Sequence, residues 1–566
     1  MELRGGQWVA LGGLLLLVVA TVYPVFENGF VYDDVDMIER GDVIHDPSEI
    51  LTFYVRNTMY ASPVKRDTEL MVDTYRPVTM TSFFWDSALS GRSPWAYHLT
   101  NLAMHLACVV LVFFFVRGFV GRNAWPYALF GAAWFALSPH PASAHVWING
   151  RSDLFATFFG LAAILTWRRG LSRTGGLRAA WIAASASLFL LGLMSKEVLV
   201  AAWLPIVLWP ETTPDLRWTE RLERTAGFSA AIGIYLALRV SALDGVRTNE
   251  GPAHIFTAIS YLAPVEIEGL LGALYPRRLY LRFMSEEFGA LSVVSLIALA
   301  VLFLAIGGVA FSLRKRLPLV SWGMLWFASC IAPVAIVAGL LWPGFGRYLY
   351  LPSAGLAVAI AALAQLLWTR IPHRRVLWAG AGVLYLTALA LSLRGWVHDF
   401  RNEETLYLAT IERNPEGAHG YGWLGISRAA RDRYDDAIGP LTIAHKLAPD
   451  VPRYPIRLLD AFARTGRLSA AEKLAVEAAP LYGEDSAPFH LFLLERAHMS
   501  DPSRATFQVL ECLRKAPGST ECGNAFTHLV TRHPRRDEHL AAAHAWLRES
   551  EFSAVRAQTA PLLDSL

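Results

Sequence analysis

The stretch Phe30-Val31-Tyr32-Asp33-Asp34-Val35-Asp36 comes directly after the first long apolar segment of the chain. Residues 5–26 contain no charged side chain, which matches the ~20 residues that a helix needs to cross a bilayer core. The acidic cluster is therefore expected at a membrane surface. Carboxylates so close to lipid are costly unless they face water, a cation or a reacting group. We take Asp33 and Asp34 as candidate site residues; the alternative is that they only mark a helix end.

The composition of the whole chain is that of a membrane protein. Of its 566 residues, 54% are hydrophobic and only 17% are charged, which is too apolar for a soluble enzyme of this length. Besides the first segment, ten further charge-free runs precede Arg394, so about eleven spans are predicted. The runs are 93–116, 123–150, 154–167, 179–195, 198–210, 225–238, 288–313, 317–346, 348–369 and 376–393.

The placement of charge predicts which end of each span faces the cytoplasm. If the N-terminus is cytoplasmic, every short inner loop is basic, as the positive-inside rule requires. These loops carry Arg117/Arg122, Arg168/Arg169/Arg173/Arg178, Arg217/Arg221/Arg224, Arg314/Lys315/Arg316 and Arg370/Arg374/Arg375. No small-x-small cleavage site follows the first span, which favours an uncleaved helix. We therefore expect a multi-pass protein of the inner (cytoplasmic) membrane, with the Asp33 loop and the region after Arg394 on the outer side.

Residues 27–92 form an outer loop far longer than an ordinary connection, and loops of this size tend to be functional. Besides the aspartates, the loop carries Tyr75-Arg76-Pro77. Arg76 either pairs with an acid of the same loop or holds an anion, for which its forked donors are suited. The net charge of +3, without a basic cluster interleaved with aromatics, gives no reason to expect nucleic acid.

Polar residues also interrupt the apolar spans near their predicted outer ends. His98, Asn101 and His105 are three and four positions apart and share one face of a helix. Together with His140 they suggest a polar cavity below the acidic loop; the alternative is hydrogen bonding between packed helices. The spacing is not that of a recognisable metal site.

Three further motifs bring charge to the same predicted surface. Arg151 and Asp153 are either a local ion pair or part of a site. Ser195-Lys196-Glu197 is either the polar tip of a hairpin or a cation and an acid presented to a site. Arg347, followed by Tyr348, is the one charge in about fifty residues, and an arginine at that depth needs an anionic partner or water. The phosphate of a lipid would be a suitable anionic partner for Arg347.

The composition becomes charged and soluble after Arg394, which divides the chain into a membrane domain (1–398) and a second domain (399–566). Residues 418–449 follow the 34-residue tetratricopeptide pattern, and a second copy is offset by the same length. Later copies are degenerate. Such arrays form a concave surface that binds an extended peptide or a partner protein; the alternative is a domain that only packs against the membrane part. An oxidising outer compartment would also allow a disulfide between Cys512 and Cys522.

The order of these motifs resembles that of the transmembrane-and-tetratricopeptide-repeat O-mannosyltransferases and their bacterial relatives. The motifs are Tyr32-Asp33-Asp34, Arg76-Pro77, His98-x-x-Asn101-x-x-x-His105, His140-Pro141, Gly150-Arg151-x-Asp153, Ser195-Lys196-Glu197 and Arg347-Tyr348-Leu349-Tyr350-Leu351-Pro352-Ser353. The resemblance covers nearly the whole chain. It implies an all-α polytopic glycosyltransferase of the GT-C architecture followed by a tetratricopeptide-repeat α-solenoid. It also implies a polyprenyl-phosphate-linked sugar as donor. The chain departs from the family pattern at two places. Ser143 and His145 lie where the family often has an acid, and Gly346 replaces the acid expected before Arg347.

The residues fit this chemistry. A carboxylate at the membrane boundary can take the proton of the acceptor hydroxyl as it attacks, and cations can stabilise the departing phosphate. We assign the base role to Asp33, with Asp34 positioning the acceptor or sharing that role. Arg347 and Lys196 hold the phosphate, helped by Arg76 or Arg151. The expected polar cavity contains His98, Asn101, His105, His140, Glu197 and Tyr348.

No cofactor is predicted. Aspartate pairs also bind divalent ions, an alternative against which the resemblance argues. The expected partners are the lipid-linked donor, membrane lipid, and an acceptor protein or glycan recruited through the repeats. A non-catalytic membrane-anchored scaffold for envelope proteins is the main alternative function.

Overall fold

A computed structural model of the chain describes residues 5–61, 74–210, 217–243, 262–263, 265, 267, 269–275, 293–334, 345–497 and 501–566. Within these ranges every regular element is a helix, which confirms the predicted all-α class. Residues 62–73 of the predicted outer loop and most of the end of the predicted span 317–346 lie outside the described residues. The chain divides into two compact units, residues 1–406 and 407–566.

The longer helices of the first unit are predominantly apolar. They are α1 (Gly5–Val22), α2 (Pro77–Ser90), α3 (Trp95–Val120), α4 (Trp125–Leu137), α5 (Arg151–Leu171), α6 (Gly175–Leu193), α7 (Trp218–Ala242), α8 (Val293–Leu313), α9 (Pro318–Ile331), α10 (Tyr350–Arg370) and α11 (Arg375–Asp399).

Seven helical segments of the described ranges are long and apolar enough to cross a membrane, as expected of a multi-pass protein. They are Gly5–Glu27, Trp95–Val120, Gly175–Leu193, Trp218–Ala242, Val293–Leu313, Tyr350–Arg370 and Pro372–Asp399. The predicted eleven is not reached in these ranges. The predicted spans 123–150 and 317–346 contain helices of only 13 and 14 described residues, and 154–167 lies in a longer helix that is less apolar and carries charges at both ends. In the run 123–150, α4 ends at Leu137, since Pro139 lacks an N–H and holds Ser138 extended.

Small residues allow the helices around α10 to pack closely. A Cβ atom at Gly131 of α4 would clash with the backbone of Ala357, and one at Gly323 of α9 would clash with that of Gly355. Trp326 of α9 lies directly against Gly355, and its indole N–H donates to the Leu351 carbonyl over 3.0 Å. Helices in lipid associate through such close packing. The contacts fix α10, which contains the last four residues of the Arg347 motif, against α4 and α9.

A separate apolar cluster supports the acidic stretch. Phe30, Met37 and Ile38 pack with Phe83 of α2 and Tyr97 of α3, together with other buried residues of the loop. Arg92, in the turn between α2 and α3, donates to the carbonyl oxygens of Ile38, Glu39 and Gly41 over 2.6–3.1 Å. The loop that carries Asp33 and Asp34 is therefore a packed element with its own core.

The second unit contains further helices that pack in sequence. They are α12 (Glu403–Arg413), which contains the boundary between the units, α13 (Ala418–Ala429), α14 (Tyr434–Leu447), α15 (Arg453–Arg464), α16 (Leu468–Ala478), α17 (Ala487–Ala497), α18 (Pro502–Lys515), α19 (Thr520–Thr531), α20 (Arg536–Trp546) and α21 (Ser553–Leu563).

Several alanine and leucine positions of the 34-residue pattern are buried between these helices. Ala437, Leu441, Ala444 and Ala471 are each 0% exposed. Gly425 of α13 lies against the side chain of Leu441, where a larger residue would clash. The identification of these helices as tetratricopeptide repeats stays a prediction. A disulfide between Cys512 of α18 and Cys522 of α19 joins two neighbouring helices.

Candidate active site

The two aspartates of the acidic stretch have different surroundings. Asp34 is buried, and its carboxylate accepts hydrogen bonds from the backbone N–H groups of Asn149, over 2.9 Å, and Val31, over 3.4 Å. Burial raises the pKa of the Asp34 carboxyl well above its ordinary value, although these two donors lower it. Asp34 thus joins its loop to the start of α5. Asp33 is 8% exposed, against 1% for Asp34.

The backbone just before Asp33 is in a rare conformation. Tyr32 has a φ of +56°, in the left-handed region that residues with a side chain seldom adopt. Such strain persists only where the surroundings hold it, and it is frequent at functional sites. Here the Tyr32 ring packs edge-on against Trp147, with 5.8 Å between the ring centroids. The Trp147 N–H donates to the Val31 carbonyl over 3.2 Å.

Trp147 connects the acidic stretch to Arg347. The Arg347 guanidinium carbon lies 4.6 Å from the centroid of the Trp147 ring, a cation–π distance. The same indole therefore contacts the two residues that precede Asp33 and the isolated arginine that precedes α10. The structure brings these two predicted site elements together, although they are far apart in the sequence.

Arg347 itself lacks a carboxylate partner within the described part of the chain. Its side chain lies 5.2 Å from the Tyr348 ring centroid and makes one long hydrogen bond, 3.5 Å, to the Tyr348 hydroxyl. Its Nε is buried without a hydrogen-bond partner. Burial alone would lower the pKa of Arg347, but Tyr348 and the Asp153 carboxylate, which is not in direct contact, outweigh it and raise that pKa. Of the predicted phosphate ligands, Arg347 is therefore the one whose guanidinium N–H groups are available to bind an anion.

Two other predicted site cations form ion pairs across long sequence separations. Arg76 binds Glu197 through two parallel hydrogen bonds of 3.1 and 2.6 Å, and Lys196 contacts Asp153 at 2.6 Å. The two possible local ion pairs are not found among the described residues. Arg76 does not pair with a described acid of its own loop, and Asp153 pairs with Lys196 rather than with Arg151. The Lys196 ammonium also lies 4.3 Å from the Tyr348 ring centroid, which places this cluster beside Arg347.

The protonation equilibria of the cluster respond to both burial and neighbouring charge. Burial lowers the pKa of the Lys196 ammonium to about 7; Asp153 opposes this shift, while Arg347 and Arg76 add to it. Burial alone would raise the pKa of the Glu197 carboxyl, but Arg76 outweighs it and brings that pKa to about 2. Glu197 is thus a fixed negative charge, whereas Lys196 titrates near neutral pH.

Arg151 lies in a network of its own. Its guanidinium contacts the Asp86 carboxylate at 2.5 Å, the Asn101 side-chain oxygen at 2.6 Å and the Tyr97 carbonyl at 2.8 Å. Arg151 is 0% exposed and Asp86 is 1% exposed. The sequence reasoning did not include Asp86. It is the one charged residue in α2, and that isolation within an apolar helix was the available signal.

The predicted polar face of α3 is buried. His98 donates from Nε2 to the Asn28 carbonyl over 3.2 Å, and the Asn101 amide donates to the Trp147 carbonyl over 3.1 Å. His105 bonds the Tyr350 hydroxyl at 2.7 Å and stacks on His145 with 3.9 Å between the ring centroids. These contacts correspond to the alternative role, hydrogen bonding between packed segments, rather than to the lining of an open cavity.

His140 and Gly346 explain one departure from the family pattern. His140 Nε2 donates to the Tyr275 carbonyl over 2.9 Å, and the His140 carbonyl lies against Gly346. A Cβ atom at position 346 would clash with that carbonyl oxygen. An acidic side chain before Arg347 would therefore require the backbone to shift, and glycine avoids this.

Comparisons with known proteins agree with the resemblance found in the motifs. The chain is 24% identical to protein O-mannosyl-transferase TMTC3 of Mus musculus over 486 residues, which is 77% of this chain and 51% of the relative. This chain is similar to protein O-mannosyl-transferases. The human TMTC3 protein is 23% identical over 77% of this chain and 51% of its own length. The Drosophila melanogaster protein Tmtc1 is 29% identical over 34% of this chain and 22% of its own length.

The chain spans about half the length of the TMTC3 relatives it matches. No family model matches the chain, and no solved structure matches it.

Proposed function

We propose that this chain is an integral-membrane glycosyltransferase that moves a mannose-like sugar from a polyprenyl-phosphate donor to a hydroxyl group of an acceptor protein. The observation that carries the proposal is the juxtaposition at Trp147. This indole touches both the strained residue before Asp33 and the guanidinium of Arg347, which has no carboxylate partner in the described ranges. Asp33 and the Arg347 guanidinium thus both lie near the Trp147 side chain. Similarity to proteins named O-mannosyl-transferases supports the same class.

In the proposed reaction, the Asp33 carboxylate takes the proton of the acceptor hydroxyl as its oxygen attacks the anomeric carbon. The bond between that carbon and the phosphate oxygen breaks, and the polyprenyl phosphate leaves with the electron pair. A single displacement inverts the anomeric centre. Asp34 acts as a positioning residue, because its two backbone hydrogen bonds fix the loop against the start of α5.

Arg347 and Lys196 are the proposed phosphate ligands. Arg347 has an Nε without a partner, and Lys196 lies over the Tyr348 ring beside it. A bound phosphate would favour the charged form of Lys196, whose pKa of about 7 leaves it only partly charged at neutral pH. Arg76 contributes by holding Glu197, next to Lys196, in a bidentate pair. We give Arg151 a structural role, because Asp86 and its other partners occupy its guanidinium.

We place this site at the outer surface of a cytoplasmic membrane, on the basis of the basic inner loops. The helices after α11 are then the proposed binding surface for the acceptor protein. The competing function is a membrane-anchored scaffold without activity. A scaffold has no need of a buried arginine that lacks a carboxylate partner among the described residues, nor of a strained backbone next to an aspartate, and these features favour the transferase.

The test uses the purified full-length protein with a polyprenyl-phosphate mannose donor and serine- or threonine-containing acceptor peptides. Release of polyprenyl phosphate and glycosylation of the peptide are measured together. Asp33→Asn should lower turnover by roughly 10²–10⁴-fold, the usual contribution of a general base, while the protein remains folded. Glu39→Gln, an exposed acid of the same loop, is the matched control.

Two results would count against the proposal. Equal turnover in Asp33→Asn and Glu39→Gln would remove Asp33 from the base role. No donor cleavage by the wild-type protein with mannosyl or other hexosyl lipid phosphates, combined with specific binding of envelope proteins, would favour the scaffold.

A further inference from the structure

A groove lies on the membrane part of the molecule, away from the proposed active site. It has a volume of about 490 Å³ and lies between the C-terminal end of α5 and the N-terminal halves of α6 and α7. Its lining on α6 includes Gly175, Arg178, Ala179, Ile182 and Ala183, which repeat at three- and four-residue intervals and so share one helix face.

The groove is formed where two helices meet at a glycine. A Cβ atom at Gly227 of α7 would lie 3.4 Å from the Ile182 side chain and 3.5 Å from that of Ala186, so the two helices are in contact there. Ala179 and Ala183 of the wall are exposed. The groove is thus a mostly apolar recess on helices whose outer faces are expected to contact lipid.

The groove and the active-site cluster lie at opposite ends of α6. This helix begins at Gly175 beside the groove and ends at Leu193, three residues before Lys196. At ~1.5 Å per residue, a helix of this length spans most of the ~30 Å hydrocarbon core. The groove therefore lies at the other membrane surface. Trp167 lies close to the groove, because its N–H donates to the carbonyl of Arg224 over 2.9 Å. Tryptophan is enriched at the headgroup region of membranes, which agrees with this position.

Three charged side chains line the groove, Arg178, Arg224 and Glu223; Arg224 has an interaction of its own, whereas Arg178 and Glu223 are not paired with a described residue. Neither the Arg178 nor the Glu223 side chain makes a hydrogen bond or ion pair with the described residues, including with each other. A phosphate suits the guanidinium and an ammonium suits the carboxylate. A molecule that carries both groups and an apolar chain would satisfy the two charges and the apolar walls together.

We propose that this groove binds a membrane phospholipid with an amine-bearing headgroup, its phosphate on Arg178, its ammonium on Glu223 and part of an acyl chain against Ile182 and Ala183. The proposal does not depend on the transferase activity, because the site is at the opposite membrane surface. Phosphatidylethanolamine has the required headgroup; phosphatidylglycerol has the phosphate without the amine, and phosphatidylcholine has an amine that cannot donate a hydrogen bond.

The test is native mass spectrometry of the full-length protein in mild detergent, titrated with these three lipids carrying identical acyl chains. Wild-type protein should retain phosphatidylethanolamine most strongly. Arg178→Ala should weaken its binding about tenfold, and Glu223→Gln should abolish the preference over phosphatidylglycerol. Ala183→Phe should reduce binding of all three lipids by filling the groove.

Arg169→Ala is the matched control, since Arg169 is an exposed arginine in the last turn of α5 and does not line the groove. It should bind lipid as the wild type does. Arg178 makes no described side-chain contact, so its loss should leave the melting temperature unchanged, which is measured in parallel. Equal retention of the three lipids by the wild type, or equal binding by Arg178→Ala and Arg169→Ala, would overturn the proposal.

Discussion

Arg151 and Arg347 are both buried arginines near the acidic stretch, yet their surroundings are opposite. The Arg151 guanidinium contacts a carboxylate, a side-chain amide oxygen and a backbone carbonyl, and no part of the residue is exposed. Arg347 is 8% exposed, lies over aromatic rings, and has one long hydrogen bond. The hydrogen-bonding capacity of Arg151 is used within the protein, whereas Arg347 has donor groups that no described residue uses.

This difference separates a structural arginine from a ligand-binding one. Removing one member of a buried, satisfied pair leaves the other charge uncompensated, which is strongly destabilising. Removing an arginine that lacks such a partner leaves no orphaned carboxylate behind. The two residues should therefore respond oppositely when stability and donor binding are measured on the same variants.

The largest expected effect is on stability at Arg151. Arg151→Met should destabilise the protein by about 3–5 kcal/mol, because Asp86 is left buried without its cation. Thermal and denaturant unfolding in detergent measure this. Arg347→Met should change stability by less than about 1 kcal/mol in the same assay. Similar losses for the two variants would show that both arginines are structural.

A double substitution sharpens the same prediction. If the loss in Arg151→Met comes from the uncompensated Asp86 carboxylate, Arg151→Met combined with Asp86→Leu should recover part of the stability, since apolar replacements of buried ion pairs are often tolerated. If the double variant instead loses as much stability as the two single variants together, the broken Arg151–Asp86 pair is not the cause of the loss.

The next effect, on donor binding, is expected at Arg347. Arg347→Ala should raise the KM for the lipid-phosphate donor about 10–100-fold, since a hydrogen bond to a charged group is worth ~1.5–3 kcal/mol and each ~1.4 kcal/mol is tenfold. Steady-state kinetics with varied donor measure this. Arg394→Ala is the control, as Arg394 is an exposed arginine whose described side-chain contact is one bond of 3.4 Å. An unchanged donor KM in Arg347→Ala would remove it from the phosphate site.

The sequence predicted the all-α membrane class of the molecule. It also singled out most of the charged residues that the structure brings together, and their roles stay predictions. Long charge-free runs identify membrane helices because the bilayer imposes length and composition on them. Isolated charges such as Arg347 stand out against that background for the same reason. The number of spans was less predictable, because a single residue such as Pro139 ends a helix inside a continuous apolar run.

The pairing of the charges could not be predicted from the sequence. Arg76 pairs with Glu197, which is 121 positions away, and Lys196 pairs with an acid 43 positions away. Periodicity placed His98, Asn101 and His105 on one face of α3, but it could not show that backbone carbonyls of other segments cover that face. Asp86 was not predicted, because its importance comes from its ion pair with Arg151, which the sequence does not show.

The smallest expected effect concerns Lys196, which is intermediate between the two arginines: it is paired with Asp153, yet its pKa is about 7. The charged ammonium that binds phosphate is fully present below this pKa and is lost as the pH rises through it. Donor KM should therefore increase by up to about tenfold between pH 6 and pH 8, because the charged fraction of a group with a pKa of about 7 falls about tenfold over this interval. Lys196→Arg should remove this dependence, because a guanidinium stays charged throughout that range. A wild-type donor KM that is flat over this interval would mean that Lys196 does not contact the phosphate, and Arg347 would then be the principal cation of the site.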